Sequence, residues 1–277
     1  MDITKEGCYT TSRRVPFEEL TIADDFMFCK VMQNEEICKE LLEIILDVEI
    51  EKIVYHEDQK VFQETLDGKG IRLDVYVRDE KHTIYDLEMQ TTNTKELPKR
   101  TRYYHSSIDR GHLESGERYN QLKDTYVIFI CTFDLFEKGY GKYTFETMCK
   151  EDTNIELQDG RHTIFVNTTG VTDNQKLQEF LEYIKSGTVS NSSFIKKLDQ
   201  EVKINSSNAT WKEKYNMLLA REEMLREEGM QEGLKEGREK QYHFILKMIK
   251  SNQLSYESCV ENVEDKDDFV AWYQEHK

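Results

Sequence analysis

The 277-residue sequence predicts an α/β protein: a mixed central sheet flanked by helices, followed by a C-terminal helical tail. Three observations predict it. Two adjacent segments, IRLDVYVR (71–78) and TIYDLEMQ (83–90), alternate apolar and polar residues at the two-residue period of a strand. The run TYVIFICTFDLF (125–136) is almost unbroken in apolar, β-branched and aromatic residues, the pattern of a strand buried on both faces. Stretches rich in helix formers lie before, between and after these strands.

Taken in order, residues 1–19 read as a polar lead-in. Residues 21–47 read as two helices, with Asn34 and the two glutamates after it as the N-terminal cap of the second, which carries Ile37, Leu41, Leu42, Ile44 and Ile45. Part of 50–62 reads as a strand. The two alternating segments come next, joined by Asp79-Glu80-Lys81-His82, a charged tetrapeptide suited to a hairpin loop. Residues 95–122 read as helix broken near Gly111 and Gly116. The strand over 125–136 is expected to pair with 140–149, and 163–167 to form a last strand.

Beyond residue 173 the pattern is helical, with polar breaks at 186–193 and 205–210. Residues 211–240 form a charged helix holding Gly229, Gly233 and Gly237 at four-residue spacing. Flanking Glu, Gln, Lys and Arg rule this segment out as a membrane span. Each glycine costs the helix up to about 1 kcal/mol relative to alanine. The stretch therefore reads as a solvated, fraying linker, or else as a helix whose glycine stripe meets a partner or a second copy. Residues 241–277 read as a small helical hairpin with Phe244, Ile245, Met248 and Ile249 on one side. The domain organisation is thus a lead-in (1–19), a core (20–172), a helical extension and linker (173–210) and a charged helix with its hairpin (211–277).

Composition narrows the function. Thirteen Phe and fifteen Tyr supply an ample core. No apolar run of membrane length and no charged start with an apolar stretch behind it appears, so a cytoplasmic location is expected. The six cysteines never form a C-x-x-C pair and read as reduced thiols. The seven histidines are dispersed, which gives zinc little support, and no Walker-type or G-x-G-x-x-G loop points to a nucleotide cofactor.

The chemistry lies in the alternating pair. Ile71, Leu73, Val75 and Val77 make one apolar face of the first segment, which turns Arg72, Asp74 and Tyr76 the other way. In the second, Tyr85, Leu87 and Met89 oppose Asp86, Glu88 and Gln90. Pairing the segments brings Asp74, Glu88 and Gln90 around one polar site. Two carboxylates and an amide carbonyl are the hard oxygen donors that Mg2+ or Mn2+ prefers. The competing reading of the same alternation is a solvated sheet face, on which Arg72 and Arg78 pair with Glu88 or Asp86.

A resemblance begins at these residues and covers about half the chain. Four ordered blocks, ADDFMFCKVM (23–32), RLDVYVRDE (72–80), DLEMQ (86–90) and RTRYYHSSID (100–109), resemble the PD-(D/E)XK nuclease family transposases, among them the recombination-promoting nucleases. The resemblance implies a restriction-endonuclease-like core and a Mg2+- or Mn2+-dependent endonuclease acting on DNA. It makes Asp74 the motif aspartate, Glu88 the motif glutamate and Gln90 the residue written as lysine in the wider superfamily. Asp25 is similar to the acidic residue that completes the metal site, so Asp74, Glu88 and Asp25 are the implied metal ligands. Glutamine at 90 removes a positive charge, while its carbonyl can still orient a water.

A net charge of −16 opposes a polyanionic partner unless basic groups are segregated. Between Lys95 and Lys123 they are, with seven Lys and Arg against four Asp and Glu. Arg100 and Tyr104 lie one helical turn apart there, and the resemblance makes them substrate positioners. Cutting both strands normally takes two sites, so a homodimer is an expectation. A defence or toxic nuclease with the same chemistry, and a catalytically retired fold that binds a protein partner through its tail, are the alternatives.

Overall fold

The alternating segments pair as the sequence predicts. In the computed structural model, which describes residues 15–62 and 71–277, β1 (Ile53–Phe62), β2 (Ile71–Asp79) and β3 (Ile84–Gln90) form an antiparallel meander. Most of the lead-in, with Cys8, falls outside the described residues. β2 and β3 run in the register Val75 to Leu87 and Tyr76 to Asp86, joined by a short loop in which His82 takes φ 66°. Asp79 holds that loop closed. Its carboxylate accepts from the backbone of Lys81 and Thr83 and from the Tyr85 hydroxyl.

β3 then pairs parallel with β4 (Thr125–Cys131), which requires a crossover. The crossover is α3 (Leu97–Arg110), whose Leu97, Tyr104 and Ile108 pack on Val127, Phe129 and Cys131 of β4. β6 (Arg161–Asn167) adds parallel to the far side of β4, and β5 (Lys142–Phe145) pairs antiparallel with β6 at the edge. The six-stranded sheet therefore has the order β1-β2-β3-β4-β6-β5 and is mixed, as expected.

Two details differ from the sequence expectation. β5 pairs with β6 and not with β4, because β3 and β6 already occupy both sides of β4. β4 ends at Cys131, although the apolar run continues to Phe136. Asp134 ends it: its carboxylate accepts from the backbone N–H of Phe136 and Gly139 and from the Tyr143 hydroxyl, a local set of bonds that replaces the ladder. Helix α3 stops at Arg110 with Gly111 as its C-terminal cap, at the first of the two expected breaks, and Gly116 follows with φ 92°.

α1 (Asp25–Val31) and α2 (Glu35–Leu46) precede the sheet, and α4 (Gln175–Ser186) and α5 (Ser193–Ser206) follow it. Asn34 caps α2 as predicted, its side-chain oxygen accepting from the backbone of Glu36 and Ile37. Ile37, Leu41, Leu42, Ile44 and Ile45 are all buried. α1 packs against β2, β3 and α5.

Two compact units divide near Lys212. The second contains most of α6 (Ala209–Lys250), a 42-residue helix, with α7 (Tyr256–Asn262) and α8 (Lys266–His276). Its small core is Tyr242, Cys259, Val263 and Phe269, with Ile245 and Ile249 packed against it. Phe244 was expected on that side and is exposed instead, because the buried face follows 242, 245, 246 and 249 and residue 244 lies about 200° from 242 around the helix. Among the described residues no helix is long and apolar enough to cross a membrane, and Cys29, Cys38, Cys131, Cys149 and Cys259 are free thiols.

Candidate active site

The polar face of β3 is not solvated. Asp86 is 0 % and Glu88 3 % exposed, which removes the solvated-face reading. The cause is α3. Strand pairing sets Asp86 beside Val127, Glu88 beside Phe129 and Gln90 beside Cys131, so the three polar residues lie on the sheet face that α3 covers. Leu87 and Met89, on the other face, are buried as well.

On that face Asp74, Glu88, Gln90, Arg100 and Tyr104 come together. The backbone N–H of Asp74 donates to Glu88 Oε1 at 2.9 Å. Arg100 donates from Nη1 to Gln90 Oε1 at 2.6 Å and from Nη2 to Glu88 Oε2 at 3.1 Å. The same Nη2 lies 2.7 Å from the Tyr104 hydroxyl, and the guanidinium also sits 5.2 Å from the Phe129 ring centre. A bidentate fork matched to an amide and a carboxylate is a geometry that arginine supplies and lysine does not. Tyr104 is 7 % exposed and Tyr103 44 %, so of the two neighbouring tyrosines it is Tyr104 that faces the cluster.

Asp25 stands at the first turn of α1. The Cys29 thiol, one turn further on, donates to the Asp74 carbonyl at 3.5 Å, which ties α1 to β2. Asp25 itself is exposed, and its Oδ1 accepts from the backbone N–H of Phe26 at 2.7 Å. Its charge nonetheless reaches Asp74, where it is the second cause, after burial, that raises that carboxyl to a pKa of about 6.

Asp86 completes the cluster and was not singled out from the sequence, although its place two residues before Glu88 on one strand face was the available signal. Neither of its oxygens accepts a bond from an N–H or O–H group among the described residues. Burial, then the charges of Glu88 and Asp74, raise its pKa well above the ordinary carboxylate value. Glu88 is raised to about 8, by burial first and by Asp74 next, with the Asp74 N–H and Arg100 opposing the rise. Burial alone would lower the pKa of Arg100, but Tyr104, Glu88 and Asp74 more than reverse this and raise it.

Three carboxyl groups, Asp74, Asp86 and Glu88, act on the one Arg100 guanidinium and leave an excess of negative charge in a largely buried place. With oxygen as the only donor, this set fits a hard divalent cation and not zinc. No three acidic, His or Cys side chains among the described residues close on one point. Asp74 and Glu88 are the pair that could hold an ion such as Mg2+, which is commonly bound by one or two carboxylates and several waters.

No curated protein and no solved structure matches this chain. A family profile, described as PD-(D/E)XK nuclease family transposase, matches residues 23–252, most of the sequence and all of the cluster above. The fold agrees with it, since a mixed central sheet flanked by helices is what a restriction-endonuclease-like core requires. On that match, the chain belongs to the PD-(D/E)XK nuclease family transposases.

Proposed function

We propose that the protein hydrolyses phosphodiester bonds in DNA with the help of Mg2+ or Mn2+, as a nuclease of the recombination or transposition type. The observation that carries this is the convergence of Asp74, Glu88, Gln90 and Arg100 on one buried spot of an otherwise apolar sheet face. Family membership supports it, because it implies a transposition-associated nuclease.

Asp74 and Glu88 hold the cation, and Asp25 supports its shell. When bound, the ion polarises a phosphoryl oxygen and lowers the pKa of a water. Gln90 positions the attacking water through its amide, whose N–H groups have no acceptor among the described residues. Arg100 stands where a phosphate backbone approaches α3, and its guanidinium offsets the negative charge that develops on the phosphoryl oxygens. Tyr104 positions Arg100 through the 2.7 Å hydroxyl contact and by ring contact. Lys99, Arg102 and Arg110, exposed on or beside the same helix, give the polyanion a basic track on a chain of net charge −16. A role in defence uses the same chemistry.

Metal binding separates this reading from a retired fold that only binds partners. Mg2+ or Mn2+ raises the melting temperature of the wild type, and Glu88→Ala abolishes the rise. A melting temperature indifferent to either ion in a folded wild type overturns the proposal.

A further inference from the structure

Helix α3 has a second face that lines a cleft. Arg100 and Tyr104 look toward the carboxylates, whereas Pro98, Thr101, Arg102 and His105 line a cleft of about 310 Å3 against the β5–β6 edge. Three phenylalanines wall this cleft. Phe136 and Phe165 meet edge to face at 5.3 Å, Phe145 and Phe165 at 5.9 Å, and Phe136 and Phe145 lie 5.0 Å apart. Phe145 remains 44 % exposed, so an aromatic wall opens directly on solvent.

The polar groups around it sort into a fixed floor and a charged rim. His105 forms the floor, with Nδ1 on Thr125 Oγ1 at 2.7 Å and Nε2 on Thr163 Oγ1 at 3.1 Å. At the rim Arg102 is exposed and pairs with no acidic group among the described residues. Arg161, across from it on β6, donates to Thr147 Oγ1 at 3.1 Å and reaches Asp159 only at 3.8 Å. The one carboxylate of the lining, Glu146, is engaged with His162 Nδ1 at 3.0 Å.

The cleft is also close to the carboxylate cluster. Tyr104 stacks on Phe129 at 6.1 Å, and Phe129 stacks on Phe165 at 5.8 Å. Two ring contacts thus lead through the core from the partner of Arg100 to the wall of the cleft. A cavity of this size holds a small planar ligand with its polar appendage.

We infer that this cleft receives one unpaired nucleotide of the DNA strand, its base against Phe136, Phe145 and Phe165 and its phosphate between Arg102 and Arg161. The inference rests on the proposal that DNA is the substrate. Aromatic walls suit any base, because each has a π-face on which to stack. Extrusion from a duplex is least costly at a mismatch, so the protein favours DNA that already carries an unpaired base.

The test is fluorescence anisotropy in EDTA, with a fully paired duplex and the same duplex carrying one mismatched pair, run beside plasmid cleavage in Mg2+. The wild type binds the mismatched duplex at least fivefold more tightly. Phe145→Ala and Arg102→Ala, both at exposed positions that leave the core intact, lose that preference. Equal affinity for the two duplexes, or a preference that survives both substitutions, overturns the cleft assignment, and metal-dependent cleavage in the parallel assay leaves the nuclease proposal standing. Failure to bind either duplex, together with no cleavage, overturns both.

Discussion

Asp86 is the residue whose behaviour most directly reports the state of the cluster. Its carboxyl is fully buried and without a donor, and its pKa lies well above 3.8 in the folded chain. Asp74 and Glu88, at about 6 and about 8, also titrate above their ordinary values of 3.8 and 4.5. Between roughly pH 4 and pH 8 the metal-free folded chain therefore holds more protons than the unfolded one. By linkage, stability is fully present below pH 4 and is lost as pH rises through that window. Asp86→Asn removes one of these burdens: it should leave stability nearly unchanged at pH 4 and raise it by about 1–3 kcal/mol at pH 8, read by denaturant unfolding in EDTA. Comparison with wild type at each pH separates this effect from the general repulsion of a chain at −16. A loss of stability at pH 8 would mean that the Asp86 charge is paired. For the basic side of the cluster, Arg100→Ala should lower cleavage about 100-fold or more, the range for removing a donor that acts on developing charge. Tyr104→Phe, which keeps the ring on Phe129 and loses only the hydroxyl, should lower it about tenfold. Equal cleavage by Arg100→Ala and wild type would remove Arg100 from the chemistry.

At the level of elements, strand period was the reliable guide. Alternation in 71–78 and 83–90 correctly puts Asp74, Glu88 and Gln90 on one face, and the asparagine before two glutamates correctly marks the start of α2. Burial of that face was not legible, because it depends on α3 crossing over β3 and β4, a long-range event that no local pattern encodes. The same holds for Arg100 against Glu88, twelve residues apart, and for the edge position of β5. Local side-chain bonds explain the early end of β4 at Asp134, where hydrophobic periodicity alone carries the strand too far. The glycines of α6 were read correctly as helical, and their environment is open: a Cβ at Gly229, Gly233 or Gly237 meets nothing within 4 Å. Gly233→Ala should accordingly stabilise α6 by up to about 1 kcal/mol, visible as added helicity at elevated temperature in circular dichroism. A destabilised protein, or a changed oligomeric state, would mean that another chain approaches this stripe.

Over the whole molecule, acidity and function are reconciled by segregation. Asp86 and Glu88 are buried under α3, while the exposed surface of that helix carries Lys99, Arg102 and Arg110, so on the proposed function a divalent ion and a phosphate backbone would be drawn to the same place. The remaining negative charge is spread over other surfaces: α6 is close to neutral, with eight Glu against nine Lys and Arg, while residues 251–277 are acidic, with seven Asp and Glu against two Lys. Binding to DNA should therefore be weak and steeply dependent on salt, since only the few exposed Lys and Arg of one helix displace counterions.

The most direct measurement is relaxation of supercoiled plasmid at low salt by wild type and Asp74→Ala, each with Mg2+, Mn2+ or EDTA. Wild type should nick the plasmid with either ion and not with EDTA. Asp74→Ala should fold with the same circular dichroism and cut at least 100-fold more slowly. Cleavage by Asp74→Ala at the wild-type rate, or by wild type in EDTA, would contradict the assignment of this cluster as the catalytic centre.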